Sequence, residues 1–364
     1  MPPFMPGLEL AGLYYEEAVR PILQADYPDL AHSAALLGPG SEVLGFDTEL
    51  SADHSWGPRV ILFLAEGDHA RLAGELRQTL GHKLPFAFRG YPTHFEEVPD
   101  EPGTALLKAT TERPINHRVQ ITTLPDFVRR ILGIDLEREM AVLDWLTIPE
   151  QNLRSLVAGA VYHDGLHVLE PMRRKLAFYP HDLWLYLLSA QWQRIGQEEP
   201  FVGRAGTVGD HVGSAVIAAR LVRDLMRLCL LMEKQYAPYA KWFGSAFAQL
   251  DCASRLIPVL ARVPSAAEWQ DRERHLNAAY EIVAAMHNDL AITAPVTTKV
   301  SRFHDRPFLV IQGETIATAI WEAIQDEEVR ALPYGVGKID QYVDSTDVLS
   351  SIRRCHRLGA LYEE

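Results

Sequence analysis

A short apolar run, Ala34 to Leu37, stops at Gly38-Pro39-Gly40-Ser41, and a second, Val60 to Leu64, begins only after a stretch rich in acids and serine. That interruption limits the fold more than any other feature. It asks for two strands of the buried kind, joined across a turn that glycine makes easily. Gly40 lets the backbone approach a phosphate closely, and Ser41 can donate its hydroxyl and its backbone N–H to phosphate oxygens. Between the two runs lie Asp47, Glu49, Ser51, Asp53 and Ser55. A carboxylate there would hold Mg²⁺, which usually binds through one or two carboxylates plus the phosphates themselves. The pattern suits chemistry on metal-bound phosphates.

The flanking sequence reads as a small mixed α/β unit. Leu10, Leu13, Tyr14, Ala18 and Ile22 have helical spacing over Leu8 to Leu23, with Pro21 bending the end. Asp68 caps a helix through Leu80, which Gly81 stops. Phe86 to Val98 reads as a strand broken at Gly90 and Pro92, and Pro99 to Asn116 as an irregular excursion. Val119 to Leu124 is a strand by its β-branching, Pro125 opens the next helix and Gly133 ends it.

From Asp135 on, helical periods dominate: Leu136 to Leu146, Glu150 to Val157, Asp182 to Ile195, Ser214 to Lys234, Trp242 to Leu250 and Trp269 to Leu290. Ala160 to Leu169, around Asp164-Gly165, reads as an inserted hairpin, which disfavours a metal site at His163 and His167. Val300 to Val310 and Ile316 to Ile324 form a closing strand and helix. Trp184, Tyr186 and Trp192 read as packing. The boundary falls between Gly133 and Thr147, giving residues 1–140 as one domain and 141–364 as a second, helical one.

Composition excludes several classes. The net charge of −13 over 364 residues argues against a coat for long nucleic acid, which needs clustered Lys and Arg. Cys229, Cys252 and Cys355 are far apart and odd in number, as buried thiols in a reducing compartment would be. No apolar run approaches the roughly 20 residues of a membrane helix, and Met1 to Pro6 lacks the features of a signal peptide. A soluble, cytoplasmic protein is expected.

Gly40-Ser41, the residues Glu42 to Ala52, and then Asp53-His54-Ser55 resemble the signature of the polymerase-beta-like nucleotidyltransferase superfamily. The wider run, with Trp56-Gly57-Pro58-Arg59, is similar to one bacterial branch of it that resembles the aminoglycoside nucleotidyltransferases in layout. Gln235 to Trp242, Phe178 to Asp182 and Phe303 to Phe308 look like that branch's helical-domain motifs, more loosely.

The resemblance implies an α+β fold: an N-terminal nucleotidyltransferase-like mixed α/β domain and a C-terminal mostly helical domain, with a nucleotide cleft between them. It implies Mg²⁺-dependent transfer of a nucleoside monophosphate, AMP from ATP, to a hydroxyl of an unknown acceptor, a small molecule rather than a protein or RNA. Gly40, Ser41 and Ser51 would hold the nucleotide and Asp53 the metal, with Asp47 and Glu49 as reserve ligands.

Two departures from the pattern stand out: Ser55 occupies the second acid position, and Trp56-Gly57-Pro58 intervene before the strand. The third acid is also missing from Val119-Gln120-Ile121; Glu96 and Glu97 lie near, and His117 could serve as a base. A strand-edge histidine bonded to backbone is the other reading of His117. Lys241, with Tyr239, would reach the triphosphate as a point charge, or be a snorkelling lysine on an aromatic core. Arg204, in Gly203 to His211, would wrap a phosphate from a flexible run, although a plain interhelical loop is favoured. The competing function is a catalytically degenerate module that kept the fold for nucleotide binding or protein interaction.

Overall fold

The computed structural model describes residues 2–52, 54–101, 104–135 and 137–363. The chain forms two compact units, one of Met1–Glu139 with Asn152–Ala177, the other of Met140–Gln151 with Phe178–Glu364. The architecture is α+β, a mixed sheet with helices in the first unit and a mostly helical second unit.

The first unit is built on β1 (His32–Leu36), β2 (Arg59–Leu64), β3 (Arg118–Thr122) and β4 (Ala160–Asp164), ordered β3-β2-β1-β4. β1 runs antiparallel to β2 and β4, and β2 runs parallel to β3. The register pairs Ala35 with Ile61, Leu36 with Ala160 and Arg59 with Arg118. One end of the sheet therefore gathers the exit of β1 and the entries of β2, β3 and β4. The central strands β1 and β2 are buried almost throughout, as their apolar runs require.

Helix α1 (Gly7–Tyr14) covers this sheet and continues as a π-helical stretch, Tyr15–Val19, into Arg20–Asp26. Pro21 has no N–H for the preceding turn, and the widened stretch lies just ahead of it. Leu10, Tyr14 and Val19 pack with Leu62, Val119, and Leu76 and Leu80 of α2 (Glu66–Lys83). α2 runs past Gly81, contrary to expectation. The helix stops where Leu84 turns extended ahead of Pro85, the conformation a following proline imposes. Helix α3 (Leu124–Leu132) ends as expected at left-handed Gly133, but it takes over from the strand two residues early, at Thr123, whose hydroxyl accepts from Asp126 N–H.

Two other expectations are corrected. Within Pro99 to Asn116, Ala105–Lys108 pairs with His94–Glu97, so the excursion is partly a ladder. The segment around Asp164-Gly165 is no hairpin. After α4 (Glu150–Val157), β4 joins β1, and the Asp164 carboxylate accepts from Ser33 Oγ and from the N–H groups of Val168, Leu169 and Glu170 at the start of α5 (Leu169–Lys175). Burial pushes the Asp164 carboxyl up, but these four donors together hold it below the usual range.

In the second unit, α6 (His181–Glu198) is lined by Trp184, Tyr186 and Trp192, all buried as expected. α7 (Phe201–Thr207) replaces the loop expected around Arg204. Its Gly203 and Gly206 face Phe308 and Trp269 so closely that an added Cβ would stand 2.4 and 2.2 Å from those rings. The glycines permit contact here, not flexibility.

Beyond it lie α8 (His211–Met232), α9 (Ala240–Phe247), α10 (Trp269–Asp289) and α11 (Gly313–Ala323). The interior is stitched by polar groups. Glu150 accepts from Arg227 Nη1 at 2.9 Å, Tyr179 Oη at 3.1 Å and Ala237 N at 3.3 Å. Its own N–H donates to Asp340, which pairs with the fully buried Lys338 at 3.0 Å. Gln341 continues the chain to Gln191 and thence to Asp224. Among the described residues no helix is long and apolar enough to cross a membrane.

Removing one partner of such a pair strands a buried charge. Arg227→Met should lower unfolding stability by roughly 3–5 kcal/mol, read from the denaturant midpoint at unchanged slope. A second expectation concerns pH. His287 is buried, its Nε2 bonded to Thr293 Oγ1 at 2.9 Å, and burial lowers its pKa to about 4. The folded state thus binds fewer protons than the unfolded chain between about 6.5 and 4. The contribution is full above the unfolded pKa and is lost as pH falls through that window, to at most about 3 kcal/mol. His287→Gln should flatten that part of the stability profile.

Candidate functional site

The turn after β1 is held from both sides. Gly38 N–H donates to Ser155 O at 2.8 Å, and Phe46 N–H returns to Ser41 O at 2.8 Å, closing the loop. Gly38, Gly40 and Gly45 all have positive φ, at 90, 152 and 72 degrees. Buried Glu42 pairs with Arg59 at the start of β2, and Arg59 Nη2 also donates to Pro39 O at 3.2 Å. The pair lies directly on Gly40: an added Cβ would stand 2.6 Å from Arg59 Nη2 and 2.6 Å from Glu42 Oε2. Gly159, just before β4, supports the turn from the other side, and a Cβ there would meet Leu36 O at 2.1 Å. The guanidinium of Arg154 lies 5.7 Å over the Phe46 ring.

The acid-rich segment that follows is anchored at its ends. Asp47 Oδ2 accepts from Gly7 N–H at 2.7 Å, at the start of α1, and from Trp56 Nε1 at 3.1 Å. Trp56 is itself buried, stacked on Phe4 and edge-on to Tyr91, so the unexpected Trp-Gly-Pro insertion fills the core. Ser51 Oγ is engaged locally, accepting from Thr48 N–H and donating to Thr48 O. Glu49 is exposed. Ser55 adopts φ of 52 degrees and pairs with Ala105 twice, through N–H to O at 2.7 Å and through Oγ accepting Ala105 N–H at 3.4 Å. Asp53 lies outside the described residues.

His117 sits immediately before β3, at the same end of the sheet. Its Nε2 faces Arg77 O at 3.1 Å on α2, and its Nδ1 accepts from Val119 N–H at 3.1 Å. This fixes the neutral tautomer protonated on Nε2, and burial lowers the pKa further. Both ring nitrogens serve the backbone, which is the second reading the sequence allowed.

In the second unit, Arg204 lies over Phe201 at 5.6 Å on α7. Tyr239 flanks the start of α9, its N–H donating to Gln151 Oε1 and its ring edge-on to Trp242 at 4.9 Å. Lys241 Nζ lies 5.3 Å over the Trp242 ring. The neighbouring Tyr236 packs edge-on to Tyr179, so much of the Gln235 to Trp242 motif is fastened to the buried network.

Comparison with known proteins adds little to this geometry. Residues 145–243 match a family described as a domain of unknown function (DUF4037). A solved structure of a nucleotidyltransferase-like protein from Exiguobacterium sibiricum is similar over 76% of this chain and 78% of that one, at 11% identity and a TM-score of 0.31. That likeness is too slight to carry an argument. No curated protein matches the chain.

The sequence offered Gly40, Ser41 and the acids, but not Glu42, Arg59, Arg154 or Gly159. A signal for the first two existed in the opposite charges at the two ends of the interruption. Arg154 and Gly159 had none, because they return from more than a hundred residues later in the chain. Both glycines sit at positive φ, so an alanine is strained at each; Gly159→Ala also drives a Cβ into a backbone carbonyl, and Gly40→Ala into the buried Glu42–Arg59 pair. Each should cost at least about 2 kcal/mol, read from thermal melts of the two variants.

Proposed function

We propose that the first unit binds a nucleoside triphosphate at the Gly40-Ser41 turn and transfers its monophosphate, AMP from ATP, to a hydroxyl of a small-molecule acceptor. The observation that supports this best is the turn itself. Three glycines at positive φ in eight residues shape it at a sheet end, beside a buried ion pair and a segment bearing carboxylates. Gly38 and Gly45 donate their N–H groups to Ser155 O and Glu42 O, so the phosphate reading rests on Gly40 and Ser41, whose backbone and hydroxyl donors suit phosphate oxygens.

The residues fit Mg²⁺ in part. Asp47 Oδ2 is committed to Gly7 and Trp56, and the Ser55 hydroxyl to Ala105, so neither offers a complete ligand. Mg²⁺ needs only one or two carboxylates beside phosphates and water, and Asp53 would supply the first, with Glu49 or the second oxygen of Asp47 in support. When bound, the metal would neutralise charge on the α-phosphate and favour departure of pyrophosphate. Ser41 would orient the phosphates through its hydroxyl and N–H. His117 is not assigned the base, since both of its nitrogens are engaged.

Ser55 favours a second reading, a nucleotide-binding module without transfer: it replaces an acid, and its hydroxyl oxygen faces a backbone donor. Calorimetry with ATP should show binding that weakens at least about tenfold on Mg²⁺ removal or in Asp53→Ala, the loss of one charge-assisted contact. Binding indifferent to both would defeat the site assignment. Turnover of labelled ATP separates the transferase from the binding module.

A further inference from the structure

Where the chain enters α11 it hangs from two carboxylates of other elements. Glu199, which follows α6 directly, is buried and accepts from Ile311 N–H at 2.5 Å and from Gly313 N–H at 3.0 Å. Gln312 N–H acts on the same carboxylate, and Gln312 itself is left-handed, with φ of 65 degrees. Glu273 of α10, half-buried, accepts from Leu309 N–H at 3.2 Å. The fit beneath the segment is close: a Cβ on Gly313 would stand 2.8 Å from Gly196 N of α6. Just ahead of it, Phe308 lies against Gly203 of α7 and edge-on to Trp269 of α10 at 6.1 Å.

The charges around these two acids have the wrong sign to steady them. Neither Glu199 nor Glu273 has an arginine, lysine or histidine partner among the described residues, and the cations at hand are paired elsewhere, Arg220 with Glu198 and Arg194 with Asp224. Glu314 of α11 faces Glu199, and the buried, unpartnered hydroxyl of Tyr280 on α10 lies in the field of Glu198, Glu199, Asp224 and Glu273. A buried carboxylate without a cation is costly when charged and relieved when neutral. The N–H groups of residues 311–313 oppose this without overcoming it. Burial pushes Glu199 up from 4.5 to about 7, with the Glu314 charge adding to it, and burial raises Glu198 and Glu273 as well.

We infer that Glu199, assisted by Glu273, is a proton-operated latch on residues 309–313: neutral, it stays buried and holds the segment against α6, and ionised, it loosens the segment and uncovers the apolar contact of Phe308 with α7 and Trp269. The direction follows from linkage. The closed form keeps its proton up to about pH 7, while an opened and hydrated Glu199 gives it up near 4.5, so opening releases a proton between those values. The latch is therefore fully held below about 4.5, is lost as pH rises, and changes no further above about 7. His287 acts on the same unit in the opposite sense, weakening it toward acid.

Amide hydrogen exchange on the full chain, corrected for the intrinsic pH dependence of exchange, reads the latch locally. Between about pH 5 and pH 7.5 the peptide carrying residues 309–313 should lose at least about tenfold in protection relative to peptides of α8. Glu199→Gln, neutral at every pH, should keep the segment protected with no such fall, and Glu273→Gln should reduce the fall. A parent whose protection does not decline over this range would overturn the inference, as would a decline that both variants leave unchanged. Loss of protection in Glu199→Gln at pH 5 as well would also overturn it, since the acid would then act only as a charged cap. Should Glu199→Gln fail to fold, the parent's profile and Glu273→Gln carry the test.

Discussion

The ion pair between Glu42 and Arg59 is the contact on which the first unit's turn depends. It joins the loop after β1 to the first residue of β2, and it lies against Gly40 so closely that any side chain there would displace it. A buried pair of this kind is a poor source of stability, since desolvation of both ions opposes their attraction. Its value is geometric. With Arg59 also bonded to Pro39 O and Gly38 bonded to Ser155 O, the backbone around Gly40 is left with little freedom.

Several acidic residues in this protein act as acceptors that fasten one segment to another. Asp47 receives the first N–H of α1, Asp164 receives three N–H groups at the start of α5, and Asp182 receives those of Gln325 and Asp326. Glu150 does the same for Ala237 while balancing Arg227. Carboxylates near exposed N–H groups gain from the positive helix end and from the hydrogen bonds themselves. The negative balance of the chain thus reflects, in part, how its loops are fastened. It says less about partners than the raw number suggests.

Much of the architecture was legible because periodicity is a local property. The strands at Ala34 and Val60, the helix that Gly133 ends, and the long helices of the second unit all follow from runs of a few turns. What was hidden was non-local. Nothing within Ala160 to Leu169 reveals that its strand pairs with β1, so a sheet strand read as a hairpin. Gly203 and Gly206 read as flexibility because their partners, Phe308 and Trp269, lie far along the chain. At the candidate site the turn and its acids could be read directly. The histidine before β3 could be noticed but not interpreted, since its role depends on a carbonyl of α2.

The first unit takes back residues 152–177 after the chain has already entered the second. No single cut separates the two. A fragment ending near residue 139 would lose β4 and leave the far side of β1 with unpaired N–H and C=O groups, an invitation to sticking between copies. It would lose Ser155 and Gly159 as well, and with them the floor beneath the loop. The smallest contiguous piece that keeps that loop's supports therefore runs to about residue 177 and carries residues 140–151 of the second unit with it.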